Sequence, residues 1–323
     1  MSNIFLSVII PTYNRKETLR KCLNTLRSQT CSPSEYEVIV VDDGTTDGTE
    51  KIVQSFLADS LWTLHYFQQQ HKGPAAARNL GIKNANGKII LFIGDDIIAT
   101  PNLIAEHMKW HLRNPEENVA VLGYVTWSSE LKITPFMRWL ENGGPQFSYH
   151  ELKGKEVLNY SYFYTCNISL KRHFLLKHGL FDESFKYAAY EDLELSHRLT
   201  RKGLKILYNK NAAGYHLHLT NIETFCRRER MVGRSKAIFN ERLGVSSVPQ
   251  NRTGFKEFLK TIIKKFSIPV LKLALEWLDQ CGCRVHPYIY AKILCYYRET
   301  GFKDSLLNRN SIQQSTECKA ENQ

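Results

Sequence analysis

The sequence predicts an α/β fold, with a mixed and mainly parallel sheet sandwiched between helices. Strand-type and helix-type segments alternate over residues 5–98, which is the order of a doubly wound sheet with right-handed crossovers. Two of the strand-type segments end directly in paired aspartates, and ligands of such sheets bind at the carboxyl ends of the strands. The strand-type segments are residues 5–10, 37–41, 63–67 and 88–93.

The apolar runs of these segments suit parallel strands that are buried on both faces. The segments between them read as amphipathic helices, because apolar residues recur at i, i+3, i+4 and i+7 in the first of them, at Leu19, Cys22, Leu23 and Leu26. The elements predicted further along are a helix over 46–57, a helix after Pro101 through His111, a strand at 119–126, a helix from Glu191, a strand at 205–208 and a helix at 221–243.

Two changes of composition divide the chain. Residues 128–164 are rich in aromatic residues, Gly and Pro and are predicted to be irregular, flanking a binding cleft. Beyond Gly244 the chain changes to basic amphipathic helices, at 254–278 and 287–297, and then to a polar tail. We therefore expect an α/β domain over 1–243, a basic helical extension over 244–308 and a disordered tail over 309–323.

The basic extension allows two interpretations. Four lysines interleave with apolar residues in its first helix, an arrangement that suits a helix lying on an anionic membrane. Ordinary packing of that helix against the α/β domain explains the same pattern. The lysines are Lys256, Lys260, Lys264 and Lys265, and the apolar residues are Phe255, Phe258, Leu259, Ile262, Ile263 and Phe266.

The overall composition restricts the class of protein. A net charge of +11 favours an anionic partner, which could be a nucleotide, an anionic lipid or a nucleic acid. No window approaches the roughly 20 apolar residues that span a bilayer, and no signal peptide is recognised. The eight cysteines are scattered without zinc-ligand spacing, as in a protein with reduced thiols. We expect a cytoplasmic protein, with peripheral contact to the inner face of the plasma membrane as an option.

Asp95 and Asp96 follow directly on the apolar run that ends at Ile93 and Gly94. Two adjacent carboxylates at a strand end repel each other unless a positive charge neutralises them. A divalent cation with a pyrophosphate is the commonest such arrangement. The sequence therefore predicts a site for Mn²⁺ or Mg²⁺ together with a nucleotide.

Two other strand ends carry candidate nucleotide contacts. Tyr13 could cover a base and Arg15 could meet phosphate, although a plain helix start capped by Thr12 or Asn14 is equally compatible with the residues. Asp43 could accept hydrogen bonds from a base or ribose. The alternative is that Asp42 and Asp43 only form an Asx turn into the next helix.

The segment Gly73 to Gly81 reads as a loop that feeds a helix with small residues, and Arg78 suits an anion near the helix start. It is neither a Walker A motif nor the G-x-G-x-x-G dinucleotide fingerprint, so a dinucleotide-dependent oxidoreductase loses its main support.

Two further sets of polar residues are candidates for chemistry. Glu191 and Asp192 open a helix and flank the inward face defined by Leu195 and Leu199, although acids in a first helical turn also simply complement the helix dipole. We expect His216 and His218 to face opposite sides of an extended segment, so that only one of them reaches a metal.

These segments, in this order, resemble glycosyltransferase family 2, the inverting nucleotide-sugar transferases with the GT-A (Rossmann-like) fold. The resemblance covers about residues 5–240. The segments that carry it are Val8 to Asn14, Val40 to Asp47, Gly73 to Gly81, Asp95 and Asp96, Cys166 to Leu170, Gly179 to Glu183, and Glu191 to Leu195.

The resemblance implies a role for each candidate residue. The residues implied for the nucleoside and phosphates are Pro11, Tyr13, Asp43 and Arg78, with Arg15 and Asp95 beside them. Asp96 is implied as the metal ligand, with His216 or His218 where some members supply a further one. Asp192, next to Glu191, falls on the catalytic base. The sequence departs from the commonest pattern at Gly94, where many members have an acid.

The implied reaction is metal-dependent transfer of a sugar from a nucleoside-diphosphate sugar, by resemblance UDP, to a saccharide or lipid-linked acceptor in cell-surface polysaccharide synthesis. Asp192 takes the proton of the attacking hydroxyl, and the metal on Asp96 neutralises the leaving diphosphate. Arg227, Arg228 and Arg230 could add charge there or form a solvated basic face. No nucleic-acid partner is expected, because clustered acids repel phosphate. The alternatives are a sugar nucleotidyltransferase and a catalytically silent nucleotide or nucleic-acid binding module.

Overall fold

The structure is a computed structural model and describes residues 4–58, 62–152, 157–245 and 255–320, with side chains described in the last range over 264–307. It divides into two compact units. The first comprises Met1–Lys132 and Phe147–His218, and the second comprises Ile133–Gln146 and Leu219–Gln323.

The elements of the described residues are numbered in chain order. The strands are β1 Leu6–Thr12, β2 Tyr36–Asp42, β3 Thr63–Gln68, β4 Ile89–Ile93, β5 Ile97–Ala99, β6 Val119–Trp127, β7 Asn167–Lys171 and β8 Lys205–His216. The helices are α1 Lys16–Arg27, α2 Thr49–Leu57, α3 Pro74–Asn84, α4 Leu103–Arg113, α5 Pro135–Glu141, α6 Arg172–His178, α7 Glu191–Thr200, α8 Ile222–Arg242, α9 Phe255–Gln280 and α10 Pro287–Ala320.

The first unit is built on one sheet with the strand order β3-β2-β1-β4-β7-β6-β8-β5. The first four strands of this order run parallel, β7 is antiparallel to both of its neighbours, β6 and β8 are parallel, and β5 is antiparallel to β8. Every residue of β2 and β4 is buried, as expected for central strands covered on both faces. The predicted mixed, mainly parallel sheet is confirmed.

Helix α3 lies unusually close to the sheet. A Cβ on its Gly81 would lie 2.6 Å from Cγ2 of Ile9 in β1, so only glycine fits at this contact. Ala75, Ala76 and Ala77 are buried in the same helix. The small residues of this segment therefore serve close helix-to-sheet packing, which brings Arg78 down to the sheet edge.

A buried polar cluster joins α4 to β7. It comprises His107 and His111 of α4 with Asn167, Ser169 and Lys171, three alternate residues of β7 that share one face. His107 Nε2 lies 2.9 Å from Asn167 Oδ1 and its Nδ1 lies 2.7 Å from Ser169 Oγ, while His111 Nε2 lies 2.8 Å from the same hydroxyl and Lys171 Nζ lies 2.9 Å from His111 Nδ1. A single assignment of protons satisfies the whole chain when both imidazoles are neutral.

Burial supports those neutral imidazoles. It lowers the pKa of His107 from 6.5 to about 4. Burial, with the positive charge of Lys171 next, also holds the pKa of His111 well below its ordinary value. Asn167 continues the cluster by donating to the carbonyl oxygen of Ala212 in β8 at 2.8 Å. The cluster thus fixes the start of β7, directly after Cys166, at the carboxyl edge of β4.

The second unit consists of α5, α8, α9 and α10 among the described residues. Phe136 of α5 packs edge-on against Phe225 of α8 and Tyr290 of α10, with ring centroids 5.8 and 5.2 Å apart. Buried Glu229 of α8 pairs with Arg298 of α10 at 2.5 Å. Helices α8 and α10 are therefore tied by both apolar and ionic contacts.

This organisation differs from the predicted one in two respects. The units divide after His218, whereas the sequence suggested a boundary after residue 243, and α8 packs with α10 within the second unit. Helix α10 continues to Ala320, so residues 309–320 are helical where a disordered tail was expected. Among the described residues, none of the helices combines the length and the apolar character that crossing a membrane requires.

Candidate active site

The carboxyl ends of the parallel strands β1, β2 and β4 lie at one edge of the sheet and carry the polar residues of the site. Thr12 ends β1, Asp42 and Asp43 end β2, and Asp95 and Asp96 follow β4. The hydroxyl of Thr12 donates to Asp95 Oδ2 at 2.8 Å. The ends of β1 and β4 are thus joined directly. The sequence predicted that polar residues meet at this edge of the sheet, but it did not predict this contact of Thr12.

Asp95 and Asp96 are both buried, with side chains 7% and 8% exposed. One guanidinium nitrogen of Arg15, Nη1, lies 3.2 Å from Asp95 Oδ1 and 2.6 Å from Asp96 Oδ2. Burial, followed by the charge of Asp96, raises the pKa of Asp95 to about 6. Burial acts in the same sense on Asp96, but His216 and Arg15 outweigh it and lower the pKa of that carboxyl. Asp96 is therefore the more acidic carboxyl of the pair.

Two histidines approach the same carboxylate oxygen. His216 Nε2 lies 3.2 Å and His218 Nδ1 lies 3.6 Å from Asp96 Oδ2. The two rings stack with centroids 5.6 Å apart, and Trp127 stacks on His216 at 5.5 Å. The expectation that the histidines face opposite sides was wrong, because residues two apart in an extended chain point to the same side.

The chemistry of these groups fits a divalent cation. Asp96, His216 and His218 offer one carboxylate oxygen and two imidazole nitrogens around one point, a donor set that suits Mn²⁺ better than the all-oxygen preference of Mg²⁺. In the described part of the chain, no group of three or more His, Cys, Asp or Glu side chains is arranged so that it could hold a metal ion by itself. Asp96, His216 and His218 could serve as ligands only with further oxygens from a bound molecule.

Asp43 and its neighbours form the second part of the site. Asp43 Oδ1 accepts the backbone N–H of Lys72 at 2.8 Å, and Oδ2 accepts that of Gly73 at 2.9 Å and lies 2.8 Å from His71 Nδ1. Tyr13 is 44% exposed and stacks on His71 with centroids 4.2 Å apart. Asp43 thus anchors the loop 69–73, and Tyr13 with His71 presents a flat aromatic surface beside it.

The alternative explanations of these strand ends are partly correct. Asp42 accepts from the backbone N–H and the hydroxyl of Thr45, three residues on, and so stabilises the turn after β2, although an Asx turn would use the residue two positions on. Neither Thr12 nor Asn14 caps α1; Asp47 instead accepts from the backbone of Lys16 at 3.0 Å. Asn14 adopts a left-handed conformation, with φ of 51°, which turns the chain so that Arg15 reaches the acid pair. Pro11 lies in β1, opposite Val41.

Arg78 and Glu191 form a buried ion pair. Arg78 Nη1 lies 2.9 Å from Glu191 Oε1, with side chains 8% and 2% exposed, and the guanidinium also lies over the ring of Phe181. Arg78 Nε and Glu191 Oε2 make no hydrogen bond among the described residues. The structure therefore places Arg78 on Glu191, where the sequence suggested an anion, and so joins α3 to the start of α7.

Asp192 is the next residue of α7 and is half-buried. Tyr190 before it has a left-handed backbone, with φ of 69°, and so sets the start of the helix. Burial, followed by the charges of Asp96 and Asp192, raises the pKa of the Cys166 thiol. Asp192 Oδ1 accepts the backbone N–H of Leu193 at 2.8 Å, and its carboxylate is a group that can accept a proton.

Aromatic residues of the segment 147–164 line the same region. Phe147 meets the ring of His216 edge-on at 5.6 Å and has a left-handed φ of 54°. Tyr149 and Tyr164 pack edge-on at 5.8 Å, and the buried hydroxyl of Tyr149 has no hydrogen-bond partner among the described residues. The rings of Phe147, Tyr149 and Tyr164 thus form an aromatic wall, which reaches His216 through Phe147.

The comparisons with known proteins identify the family. The model of glycosyl transferase family 2 matches residues 7–179, more than half of the chain. The chain belongs to glycosyltransferase family 2. It is a transferase enzyme, so the interpretation as a catalytically silent binding module is set aside.

Two curated relatives place the chain within this family. It is 30% identical over 257 residues to the uncharacterized glycosyltransferase YfnE of Bacillus subtilis, a match that covers 65% of this chain and 64% of YfnE. It is 29% identical over 206 residues to the minor teichoic acid biosynthesis protein GgaA of the same organism, covering 61% of this chain and 43% of GgaA. The chain therefore spans about two thirds or less of the length of these relatives.

Two solved structures share the fold. The mannosyltransferase PcManGT of Pyrobaculum calidifontis, in complex with GDP-Man and Mn²⁺, superposes with a TM-score of 0.62 at 18% identity over 94% of this chain and 87% of that chain. TarS residues 1–349 of S. aureus, in complex with UDP-GlcNAc, gives 0.54 at 21% identity over 93% and 92%. The fold is GT-A with C-terminal helices.

Gly94 lies close to the carboxylate of Asp96. A Cβ at Gly94 would lie 2.8 Å from Asp96 Oδ1, so an acid here would press on the carboxylate that faces the histidines. The three arginines of α8 that the sequence analysis named form ion pairs within the second unit: Arg227 with Glu223, Arg228 with Glu229 and Arg230 with Asp304. This favours the interpretation of a solvated face for them.

Several site residues were not singled out from the sequence. Thr12 was considered only as a helix cap, Tyr164 lies in a segment named as a whole, and His71 and Trp127 lie between the named segments. Their signal is positional: Trp127 ends β6, which pairs in parallel register with β8 and sets Trp127 opposite His216. Such a pairing becomes visible only when the strand order is known.

Proposed function

We propose that this family 2 enzyme is a metal-dependent inverting transferase that moves a sugar from a nucleoside-diphosphate sugar to a hydroxyl of a saccharide or lipid-linked acceptor. The observation that carries the proposal is the approach of His216 and His218 to one carboxylate oxygen of Asp96. Asp192, at the start of α7, supplies a second carboxylate for proton transfer.

Asp192 is proposed as the general base. A sugar hydroxyl is a weak nucleophile, and a carboxylate that takes its proton during attack on the anomeric carbon accelerates transfer about a hundredfold to ten-thousandfold. Glu191, ion-paired with Arg78 and buried, positions the first turn of α7 rather than accepting a proton. A single displacement by the hydroxyl inverts the anomeric configuration.

Asp96, His216 and His218 are proposed to hold Mn²⁺, with Mg²⁺ as the alternative. When bound, a divalent cation stabilises the negative charge that develops on the leaving diphosphate. Asp95, hydrogen-bonded by Thr12, keeps the acid pair in place. Its pKa of about 6 reflects the cost of a second negative charge in this buried position.

The nucleoside is proposed to bind on the surface formed by Tyr13, His71 and the loop that Asp43 anchors. An exposed aromatic ring at a strand end suits stacking of a base. Uracil is proposed from the family resemblance, and the shared fold alone does not choose it, since the neighbours were solved with GDP-Man and with UDP-GlcNAc. A role in cell-surface polysaccharide synthesis is proposed from the name of GgaA.

The acceptor is proposed to lie against the aromatic wall. Aromatic rings stack on the apolar faces of sugars, and Phe147 and Tyr164 are the partly exposed rings of this wall.

We also propose contact of α9 with an anionic membrane. Four large apolar residues of α9, spaced by four, three and four, lie on one face and are 63–71% exposed, whereas Ile268 and Leu275 on the other face are buried. These four residues, the α9 stripe, are Phe266, Val270, Leu273 and Trp277.

The lysines beside the α9 stripe favour an anionic membrane as its partner. Lys264 and Lys265 are exposed directly beside Phe266, and lysines flanking an apolar face attract anionic lipid headgroups. The other residues named for this interpretation, from Phe255 to Ile263, have side chains outside the described residues. Sedimentation with vesicles of anionic and of zwitterionic lipid tests the contact. We expect Leu273→Ser with Trp277→Ser to lose binding to anionic vesicles, whereas Tyr288→Ser, which removes an equally exposed ring from α10, keeps it.

The transferase proposal is tested by thermal stabilisation of the purified protein with nucleoside diphosphates and sugar nucleotides, in Mn²⁺, Mg²⁺ and EDTA. A metal-dependent shift with one base is expected. Transfer from that donor to an acceptor, without hydrolysis of the donor, is then followed by NMR, and the anomeric proton gives the configuration of the product. We expect inversion, and a product of retained configuration would refute the mechanism.

A further inference from the structure

Arg15 is the cation that the candidate metal ligands face. Its Nη1 lies 2.6 Å from Asp96 Oδ2 and 3.2 Å from Asp95 Oδ1, and its Nη2 lies 3.4 Å from His218 Nδ1. Asp96 and His218 are two of the three residues that the proposed function assigns to the metal. The guanidinium of Arg15 therefore contacts the same atoms of Asp96 and His218 that would coordinate the metal.

The two uses of these atoms exclude each other. Asp96 Oδ2 accepts from Arg15 and from His216, which occupies the lone pairs of that oxygen. A nitrogen of His218 that meets Nη2 of Arg15 is likewise turned towards the guanidinium. Arg15 must therefore leave before these atoms coordinate an ion.

The acid pair cannot simply stay without a cation. Two adjacent buried carboxylates destabilise the fold unless positive charge compensates them. Arg15 supplies that charge in the absence of ligands. If a divalent cation replaces the guanidinium of Arg15, positive charge stays beside Asp95 and Asp96. If Arg15 leaves without such a replacement, that charge is lost.

The exposure and position of Arg15 allow its side chain to move. Its side chain is 40% exposed, and the residue precedes α1 instead of lying within it. Arg78, by contrast, is 8% exposed and held between Glu191 and Phe181. Among the described residues, the hydrogen bonds that rotation of the Arg15 side chain out of the site would break are those with the acids and His218.

We propose that Arg15 is an exchangeable counter-ion, which neutralises Asp95 and Asp96 in the free enzyme and transfers to the diphosphate of the donor when the divalent cation binds. This rests on the proposed metal-dependent function. It makes metal and nucleotide binding mutually dependent: the metal alone competes with Arg15, and a nucleotide offers the released guanidinium a bidentate anionic partner. By linkage, each ligand raises the affinity for the other by the same factor.

The test measures Mn²⁺ binding to the full chain by electron paramagnetic resonance, without nucleotide and with saturating UDP or GDP. We expect Arg15→Gln to bind Mn²⁺ alone at least about tenfold more tightly than the unchanged protein, and the gain in Mn²⁺ affinity caused by nucleotide to fall by a similar factor. Arg20→Gln is the matched control, because it removes the same charge from an exposed position on α1. We expect it to bind as the unchanged protein does.

Unchanged or weaker binding of Mn²⁺ alone by Arg15→Gln would overturn the inference. Failure of the unchanged protein to bind Mn²⁺ even with nucleotide would instead refute the metal-dependent function on which it rests. If Arg15→Gln does not fold, Arg15→Lys replaces it, because an ammonium keeps the charge without the planar fork. We then expect Mn²⁺ alone to bind more tightly by a smaller factor, and equal binding would overturn the inference.

Discussion

Acidification from pH 7 to pH 5 is predicted to destabilise the fold through the polar cluster between α4 and β7. Burial lowers the pKa of His107 from 6.5 to about 4, so the unfolded chain takes up a proton at a pH where the folded protein does not. Stability is therefore complete above the unfolded pKa, falls as the pH drops below 6.5, and stops falling near pH 4. At about 1.36 kcal/mol for each pH unit, His107 contributes a loss of about 2 kcal/mol at pH 5 and about 3.4 kcal/mol below pH 4.

His111 adds to this loss, since its pKa is lowered as well. The assay is urea unfolding at pH 7, 6 and 5, followed by circular dichroism. His107→Gln keeps a donor and an acceptor beside Asn167 and Ser169 but does not titrate, so its stability should fall with pH by about 2 kcal/mol less than that of the unchanged protein. His173→Gln, which removes an exposed imidazole from α6, should leave the pH dependence unchanged. Parallel pH profiles for His107→Gln and the unchanged protein would refute the reasoning.

Three further substitutions test the site. Asp192→Asn should lower the rate of transfer by about a hundredfold to ten-thousandfold while leaving nucleotide affinity intact, because it removes only the proton acceptor; full activity would refute the assigned base. Asp96→Asn should abolish the gain in nucleotide affinity that Mn²⁺ provides, measured by calorimetry; a retained gain would remove Asp96 from the ligand set. Arg78→Met should destabilise the fold by about 3–5 kcal/mol in urea unfolding, because it leaves Glu191 buried without its partner. Adding Glu191→Gln should recover part of that loss, and strictly additive losses would contradict the pairing.

The sequence was sufficient to predict the parallel half of the sheet. Its strands β1, β2, β3 and β4 are apolar runs that end in polar residues, and both features depend on local composition. The same reasoning placed Asp95 and Asp96 at the sheet edge, where the structure has them. Local pattern is enough wherever a strand is buried on both faces.

The rest depends on pairing between distant segments. β7 was missed because Asn167, Ser169 and Lys171 make it alternate between polar and apolar residues, and the polar ones are satisfied by α4, far away in the chain. Arg78 looked like an anion site because its partner, Glu191, lies 113 residues further on. The error over His216 and His218 was of another kind, since the period of an extended chain already sets both on one side.

Three residues in the described structure other than glycine have a left-handed backbone, and each adjoins the site: Asn14 before Arg15, Phe147 against His216, and Tyr190 before Glu191 and Asp192. Such a conformation costs a residue with a side chain about 1–2 kcal/mol. The enzyme thus trades part of its folding stability for a fixed arrangement of the reacting groups. Selection for thermal stability alone should therefore favour glycine at these three positions first. The selected variants should be more stable but should have a lower catalytic rate.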